Sequence, residues 1–469
     1  MSLANETVLV ALWVAHVALG AAVTIHVLLT KRDIGASIAW IGLAFLSPLV
    51  GSVLYCIFGI NRVAARATVL KRVSWTQGKS PTSAVSSPLA GATPLDIAVG
   101  RIAGRPATPG NSVSNFSNGD EAYPLMIAAI DAARSSVALS TFIFRLDRSG
   151  KGFAEALIRA RRRGLEVRVI IDGVGGGYFT SPAFTLLRKN DVPVARFLHS
   201  PLPWRMPFLN LRTHKKLLSL DGLLAFTGGL NIGDENLVSE NPPDAVRDSH
   251  FLFQGPVVTQ LNELFAEDWL FLTGEGLRGG KWFPPTPPPG AIIARAVASG
   301  PDQDIEKIQS VVLQAIACAR SVKVMTPYFL PDDRVISALE LAAMRGVDVD
   351  IVVPEKNNHW YMAAAMNAHI GPLIHAGCRI WTNPPPFDHS KIMTIDGNWA
   401  LIGSANWDAR SFRLNFELDV EIRNADLVRR LDQELLTKRG RPITLDDLRS
   451  RSLPKQLLDK AARLMLPYL

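Results

Sequence analysis

Cysteine is scarce in this 469-residue chain, with only Cys56, Cys318 and Cys378. Three separated thiols supply neither a disulfide framework nor a zinc-binding pattern, and they are expected to be small buried apolar residues. His199, His250, His359, His369 and His375 lack metal-ligand spacing with neighbouring Cys or carboxylates, so no metal and no cofactor is expected. The glycine cluster DGVGGGY at 172–178 lacks the GxGxxG spacing of a dinucleotide loop and reads as the turn after a strand. The interleaved aromatic and basic strand pattern of the known RNA modules is also missing, which argues against nucleic acid as a partner. Acidic residues fall short of basic ones, 42 against 50, leaving a formal net charge of +8. A pI near 9.5 suits a polyanion, either nucleic acid or anionic lipid.

Charge is missing altogether from residues 7–30, TVLVALWVAHVALGAAVTIHVLLT. As a helix this stretch is about 36 Å long, enough to cross a hydrocarbon core. Residues 34–59 are expected to span likewise, and only Lys31, Arg32 and Asp33 separate the two, so residues 1–60 read as a transmembrane hairpin. A cleavable signal peptide would have a shorter apolar core, a basic start in place of MSLANE, and no second span behind it. Arg62, Arg66, Lys71 and Arg72 outnumber the two basic residues of the hairpin loop, which puts both flanks and the rest of the chain in the cytoplasm, as a multi-pass membrane protein. His16 and His26 in the first span read as neutral packing or interfacial residues.

Residues 61–117, rich in Ser, Pro, Gly, Ala and Thr from about Thr76, read as a flexible or irregular linker. After it the chain repeats. AARSSVALSTFIF resembles CARSVKVMTPYFL, and ALIRARRRGLEVRVIID resembles ALELAAMRGVDVDIVVP. Each block reads as helix, strand, a helix closed by Gly164 or Gly346, then strand, which predicts an α/β sandwich. The domains are expected at 118–285 and 286–440, joined by GGKWFPPTPPPG at 279–290 as an extended surface connector. A C-terminal segment, 441–469, carries Leu457, Leu458, Ala461, Leu464 and Met465 at helical spacing opposite Lys455, Lys460 and Arg463. That stripe fits an interfacial helix or a helix packed on the domain.

What the chain has twice is HxKxxxxD: His214, Lys216 and Asp221 in RTHKKLLSLDG, then His389, Lys391 and Asp396 in FDHSKIMTIDG. Each copy leads to a glycine-rich turn ending in Asn231 or Asn406, at the same distance from its histidine. One histidine can attack phosphorus while the other protonates the leaving alcohol, which demands opposite protonation states. Lys216 and Lys391, two residues past each histidine, share its face of a strand and suit phosphate oxygens; Asn231 and Asn406 add neutral donors. Asp221 and Asp396 are candidate catalytic residues, although each immediately precedes glycine and reads equally as a turn former.

These motifs match the HKD signature of the phospholipase D superfamily, and NGDEAY, RDSHFLFQGPVV, MTPYFLPDD and SFRLNFELDVEI extend the resemblance to bacterial cardiolipin synthases over nearly the whole chain. The resemblance implies two tandem α/β/α sandwich domains forming a pseudo-dimer behind a membrane hairpin. It implies His214 as nucleophile, His389 as acid, and Asp248 and Glu417 as acceptors for the remaining N–H of the catalytic histidines. It further implies that a phosphatidyl group passes from one phosphatidylglycerol to another through a phosphohistidine, releasing glycerol. A hydrolytic phospholipase D and a membrane-anchored nuclease or nucleic-acid-binding protein remain alternatives at this point, and oligomeric state is not legible.

Overall fold

The computed structural model describes residues 3–30, 34–59, 91–199, 211–300 and 305–464. They fall into two units.

The N-terminal unit opens with the helix Leu3–Thr30, whose stretch Val10–Thr30 is the one span long and apolar enough to cross a membrane among the described residues. The second apolar segment departs from the expected single span. It divides into the helices Ile34–Leu46 and Pro48–Leu54 and a π-helical turn, Tyr55–Gly59. Pro48 lacks an N–H and crowds the residue before it, so Ser47 leaves the helical region, with φ −145° and ψ 76°. The segments pack through Val23, Val27, Ala44 and Tyr55, while Trp13, Leu28, Leu29 and Leu46 face outward. His26 takes the packing role expected of it, its Nδ1 lying 2.6 Å from the Tyr55 hydroxyl. Cys56 and Cys318 are exposed, against expectation, and only Cys378 is buried.

The second unit is built on one 14-stranded sheet. The first repeat supplies β1 (Thr108–Ser117), β2 (Ser136–Thr141), β3 (Glu166–Asp172), β4 (Val194–Phe197), β5 (Leu217–Leu220), β6 (Leu224–Gly228), β7 (Val246–Arg247) and β8 (Ser249–Gln254). The second supplies β9 (Ile292–Ser299), β10 (Ser321–Met325), β11 (Phe329–Leu330), β12 (Asp348–Pro354), β13 (Arg379–Asn383) and β14 (Phe387–Asp388). Its remaining strands are β15 (Ile392–Ile395), β16 (Trp399–Gly403), β17 (Trp407–Asp408) and β18 (Glu417–Arg423); of the eighteen, β7 with β14 and β11 with β17 form two separate two-stranded sheets. The order β13-β12-β10-β15-β16-β18-β9-β1-β8-β6-β5-β2-β3-β4 runs through equivalent strands in both directions from the β9/β1 seam, so the duplication appears as a mirrored strand order.

The expected helix-strand-helix-strand block is present twice. Asn118–Ala132, β2, Arg148–Arg162 and β3 make the first; Lys307–Cys318, β10, Asp333–Met344 and β12 make the second. Gly164 (φ +86°) and Gly346 (φ +85°) follow the second helix of each block in the left-handed region that glycine reaches without strain. Val137, Leu139, Val167, Val169, Leu218 and Leu220 pack on the block's helices. The alternate residues Ile170, Leu217, Phe251 and Phe253 are buried on the other face, where Val257–Thr273 lies against β4, β5 and β8.

The expected linker is a linker only in part. Its residues 61–90 lie outside the described residues, but Pro94–Ala103 is a helix with a Thr93 capping box, and β1 sits in the middle of the sheet. Leu95, Val99 and Ala103 pack into the second repeat's core. Asp96 pairs with Arg423, and Arg295 donates to the Asp96 carbonyl oxygen at 3.3 Å. The composition of β1, TPGNSVSNFS, is poor in strand formers. Tertiary partners hold it instead: antiparallel pairing to β8 on one side and β9 on the other, and the buried Asn111, which donates to Thr108 O and Ile292 O and accepts from Val257 N. The connector at 279–290 is mostly exposed as expected, yet Trp282 is buried and anchors it to the first repeat.

Candidate active site

His214 and His389 stand just ahead of β5 and β15. Each therefore lies beside the C-terminal ends of its repeat's parallel strands, β2/β3 and β10/β12, where ligand crevices of open α/β sheets form. Each histidine is fastened by the other repeat. His214 N donates to Phe416 O at 2.8 Å, and Phe416 N donates to Arg212 O at 2.8 Å. On the other side β14 pairs in parallel with β7, and His389 N donates to Arg247 O at 2.7 Å.

The side chains cross in the same way. His214 Nδ1 lies 3.0 Å from Glu417 Oε2 and 3.0 Å from Ser404 O, and His389 Nδ1 lies 2.8 Å from Asp248 Oδ2. The imidazoles approach edge to face with centroids 6.2 Å apart. Both Nδ1 atoms face partners, which leaves both Nε2 atoms for chemistry. Lys216 Nζ donates to His214 O at 2.8 Å and sits 5.5 Å above the Phe142 ring. Lys391 Nζ is 2.7 Å from His389 Nδ1 and 4.0 Å from Asp248 Oδ2. A single Nδ1 cannot donate to Asp248 and accept from Lys391 at once, so only one of these contacts is a hydrogen bond at a time.

Burial governs the charges. His389 is pushed down to about 3, by burial first and then by Lys391, against the pull of Asp248. Burial lowers His214 as well, opposed by Glu417. Both imidazoles are neutral near pH 7, so their carboxylate contacts are hydrogen bonds and not ion pairs. Lys216 falls to about 7 through burial and Lys391, and Lys391 to about 8 through burial, opposed by Asp248 and Glu417. Burial raises the Glu417 carboxyl, but His214, Lys216 and Ser404 outweigh it and hold the group below the usual range. The result is a carboxylate flanked by a neutral imidazole and a lysine that only partly holds its proton, and an added anion favours the protonated forms of both.

Asn406 is buried, and its side-chain Oδ1 has no hydrogen-bond partner among the described residues. Asn231 is half-buried, and its Oδ1 accepts from Ile143 N at 3.3 Å. The two asparagines are thus not in equivalent states.

Asp221 and Asp396 do not join the histidines, and their candidacy as catalytic groups is corrected. They lie beyond β5 and β15, each strand four residues or about 13 Å long. Asp221 accepts from Arg134 N, Ser135 N and Ser136 N at 2.9, 2.7 and 3.0 Å; Asp396 accepts from Arg320 N and Ser321 N, both at 2.8 Å. Each, with φ +53°, turns a hairpin and clamps the start of β2 or β10.

Several residues of the site are missed by sequence reasoning. Ser404 donates to Glu417 Oε2 at 2.6 Å, and Asp419 accepts from Ser404 N and Ala405 N. Burial raises Asp419 to about 7. Phe142 and Tyr328 lie edge-on to His214 and His389, with centroids 5.1 and 6.3 Å away. Their signal is the repeated strand end TFIF and TPYF, which reads in the sequence only as duplication. The segment PLPWRMPFLNLR, which reads as a lipid-facing approach, lies largely outside the described residues. Among the described residues, no three His, Cys, Asp or Glu side chains gather as a metal-binding set.

Known proteins resemble the chain over both repeats and the N-terminal segment. The family described as cardiolipin synthase, PLD-like domain, matches residues 126–269 and 312–438, and the phospholipase D-nuclease N-terminal family matches 18–59. A cardiolipin synthase A of Pseudomonas putida is 34% identical, covering 96% of this chain and 96% of its own. A cardiolipin synthase of Geobacillus kaustophilus is 31% identical over 94% of this chain and 90% of its own. The crystal structure of phosphatidylserine synthase from Haemophilus influenzae shares the fold at TM-score 0.56 and 14% identity, covering 76% of this chain and 95% of that one. With both repeats matched by the family model and the alignment running nearly end to end, the chain belongs to the cardiolipin synthase family of phospholipase D-like phosphatidyltransferases.

Proposed function

We propose that the chain makes cardiolipin from two phosphatidylglycerol molecules at a bacterial inner membrane, releasing glycerol. The observation that carries this reading is the crossed pair of histidines, each held at Nδ1 by a carboxylate of the other repeat, with two buried lysines beside them. His214 Nε2 attacks the phosphorus of the first lipid, the bond to the glycerol oxygen breaks, and His389 supplies the proton that glycerol carries away. His389 then takes a proton from the terminal hydroxyl of the second lipid, whose oxygen displaces His214 and forms the new phosphodiester. Lys216 and Lys391 balance charge on the five-coordinate phosphorus, joined by Asn406 and Asn231.

Burial, with Lys391 adding to it, holds His389 strongly acidic. A phosphodiester oxygen between the lysines offsets that charge and raises the imidazole toward the acid role. Asp248 and Glu417 fix tautomer and ring orientation. The long apolar helix supports a bilayer substrate over a soluble one, and the excess of Lys and Arg after residue 60 supports catalytic domains on the cytoplasmic side of a multi-pass hairpin.

Purified full-length protein given labelled phosphatidylglycerol alone should yield cardiolipin and glycerol in equal amounts, and His214→Ala or His389→Ala should each abolish product. Phosphatidic acid as the only product would show transfer to water instead. Full activity in either variant would refute the shared site.

A further inference from the structure

The helix Leu453–Arg463 is docked with its apolar side outward. Its buried positions are Asp459 and Ala462; Asp459 is held by Arg451 at 2.7 Å, and Ala462 joins the second repeat's core. At about 100° per residue, Leu453, Leu457, Ala461 and Leu464 fall within an arc of about 80°, pointing away from that buried face. They are exposed, Leu453 by 68%, Leu457 by 60% and Leu464 by 81%. Lys455, Lys460 and Arg463 are exposed on the same helix, and its one carboxylate is already paired. The helix packs along Trp360–Asn367, whose first residue, Trp360, is itself 65% exposed. Next to Trp360, Tyr361 stacks on His359, His359 on Tyr328, and Tyr328 lies edge-on to His389. The helix that carries the outward stripe thus packs on the segment that reaches the rim of the active site.

An exposed leucine stripe edged on one side by the cations Lys460 and Arg463 marks an interaction face. We propose that this face docks on an anionic bilayer surface, with Leu453, Leu457 and Leu464 in the interface, lysine and arginine on acidic headgroups, and the second repeat's rim held at the level of the lipid phosphates. The proposal rests on the reading of the site as acting on membrane lipid. Charge complementarity favours the bilayer over a second copy of this chain, whose matching face carries the same positive sign.

The test uses full-length protein with Cys56→Ala and Cys318→Ala, Leu457→Cys labelled with an environment-sensitive fluorophore, reconstituted in vesicles of phosphatidylcholine with or without phosphatidylglycerol. Emission should shift to the blue and rise about twofold only with the anionic lipid, and the shift should diminish in high salt. Leu457→Glu with Leu464→Glu should raise KM for vesicle phosphatidylglycerol about tenfold, leaving turnover of a water-soluble short-chain phosphatidylglycerol within about twofold. Emission that is the same in both vesicles, or that changes with protein concentration in detergent as self-association would, overturns the proposal. So does an equal loss on both substrates. The probe reads without catalysis, so absence of cardiolipin in the parent protein would sink the proposed function and leave this test standing.

Discussion

Glu417→Gln isolates what a carboxylate of one repeat does for the histidine of the other. In the native site Glu417 Oε2 faces His214 Nδ1 and takes the Ser404 hydroxyl, and Oε1 takes Asn415 Nδ2 at 3.1 Å. A glutamine keeps its oxygen toward His214 and Ser404 and turns its NH2 toward Asn415. Among the described residues the Asn415 Oδ1 has no hydrogen-bond partner, so that amide needs only to flip to accept the new donor. Shape and bond count survive, and the change is confined to charge. A charge-assisted hydrogen bond is worth about 1.5–3 kcal/mol, which in a transition state corresponds to roughly 10- to 150-fold in rate. Without the anion, the imidazolium form of His214 loses its main support, and its already lowered basicity falls further. Initial rates of cardiolipin formation by purified variant and parent, with melting curves for both, make the assay. A kcat within about threefold of the parent at unchanged melting temperature would show that Glu417 does not act through His214.

Three other perturbations test the same geometry. Lys216 and Lys391 titrate near 7 and 8 because of burial, so they carry full charge below that range and lose it as pH rises; kcat/KM should decline between about pH 7 and 9 while kcat declines less, and a flat profile to about pH 9.5 would refute the assignment. Asp221→Ala removes three backbone acceptor bonds and a left-handed residue's local support, and should cost about 2–3 kcal/mol in stability with kcat unchanged; a large kcat loss in well-folded protein would return this aspartate to the chemistry. Mixing separately folded His214→Ala and His389→Ala chains should restore no synthesis, because each chain holds both halves of its own site, and recovery of activity would show exchange of halves between chains.

The catalytic pattern is legible in the sequence because its chemistry needs particular residue types at fixed spacing, and duplication makes it unmistakable. The four-element blocks are legible because apolar periodicity and the glycines at 164 and 346 are local signals. The crossing of partners is not. Asp248 and Glu417 occupy equivalent places in their own repeats, and nothing local says that each serves the other repeat's histidine. Strand β1 escapes notice since its ten residues contain glycine, proline and asparagine and gain their extended form from neighbours on both sides. The second apolar segment is long enough to span, but Pro48 divides it. The C-terminal stripe is visible as a pattern; which face it turns outward depends on the Arg451–Asp459 pair, a contact that periodicity does not encode.

The placement of β1 bears on how the catalytic unit can be separated from its hairpin. A chain begun at residue 118 would carry both complete HxKxxxxD motifs, yet it would open the sheet at its midline and leave β8 and β9 as two bare edges, each ready to pair with another molecule. Begun ahead of Thr93, it would keep the capped helix and the strand that stitches one repeat to the other. The stretch from Thr93 to Ser117 is thus the suture by which two half-sheets become one surface.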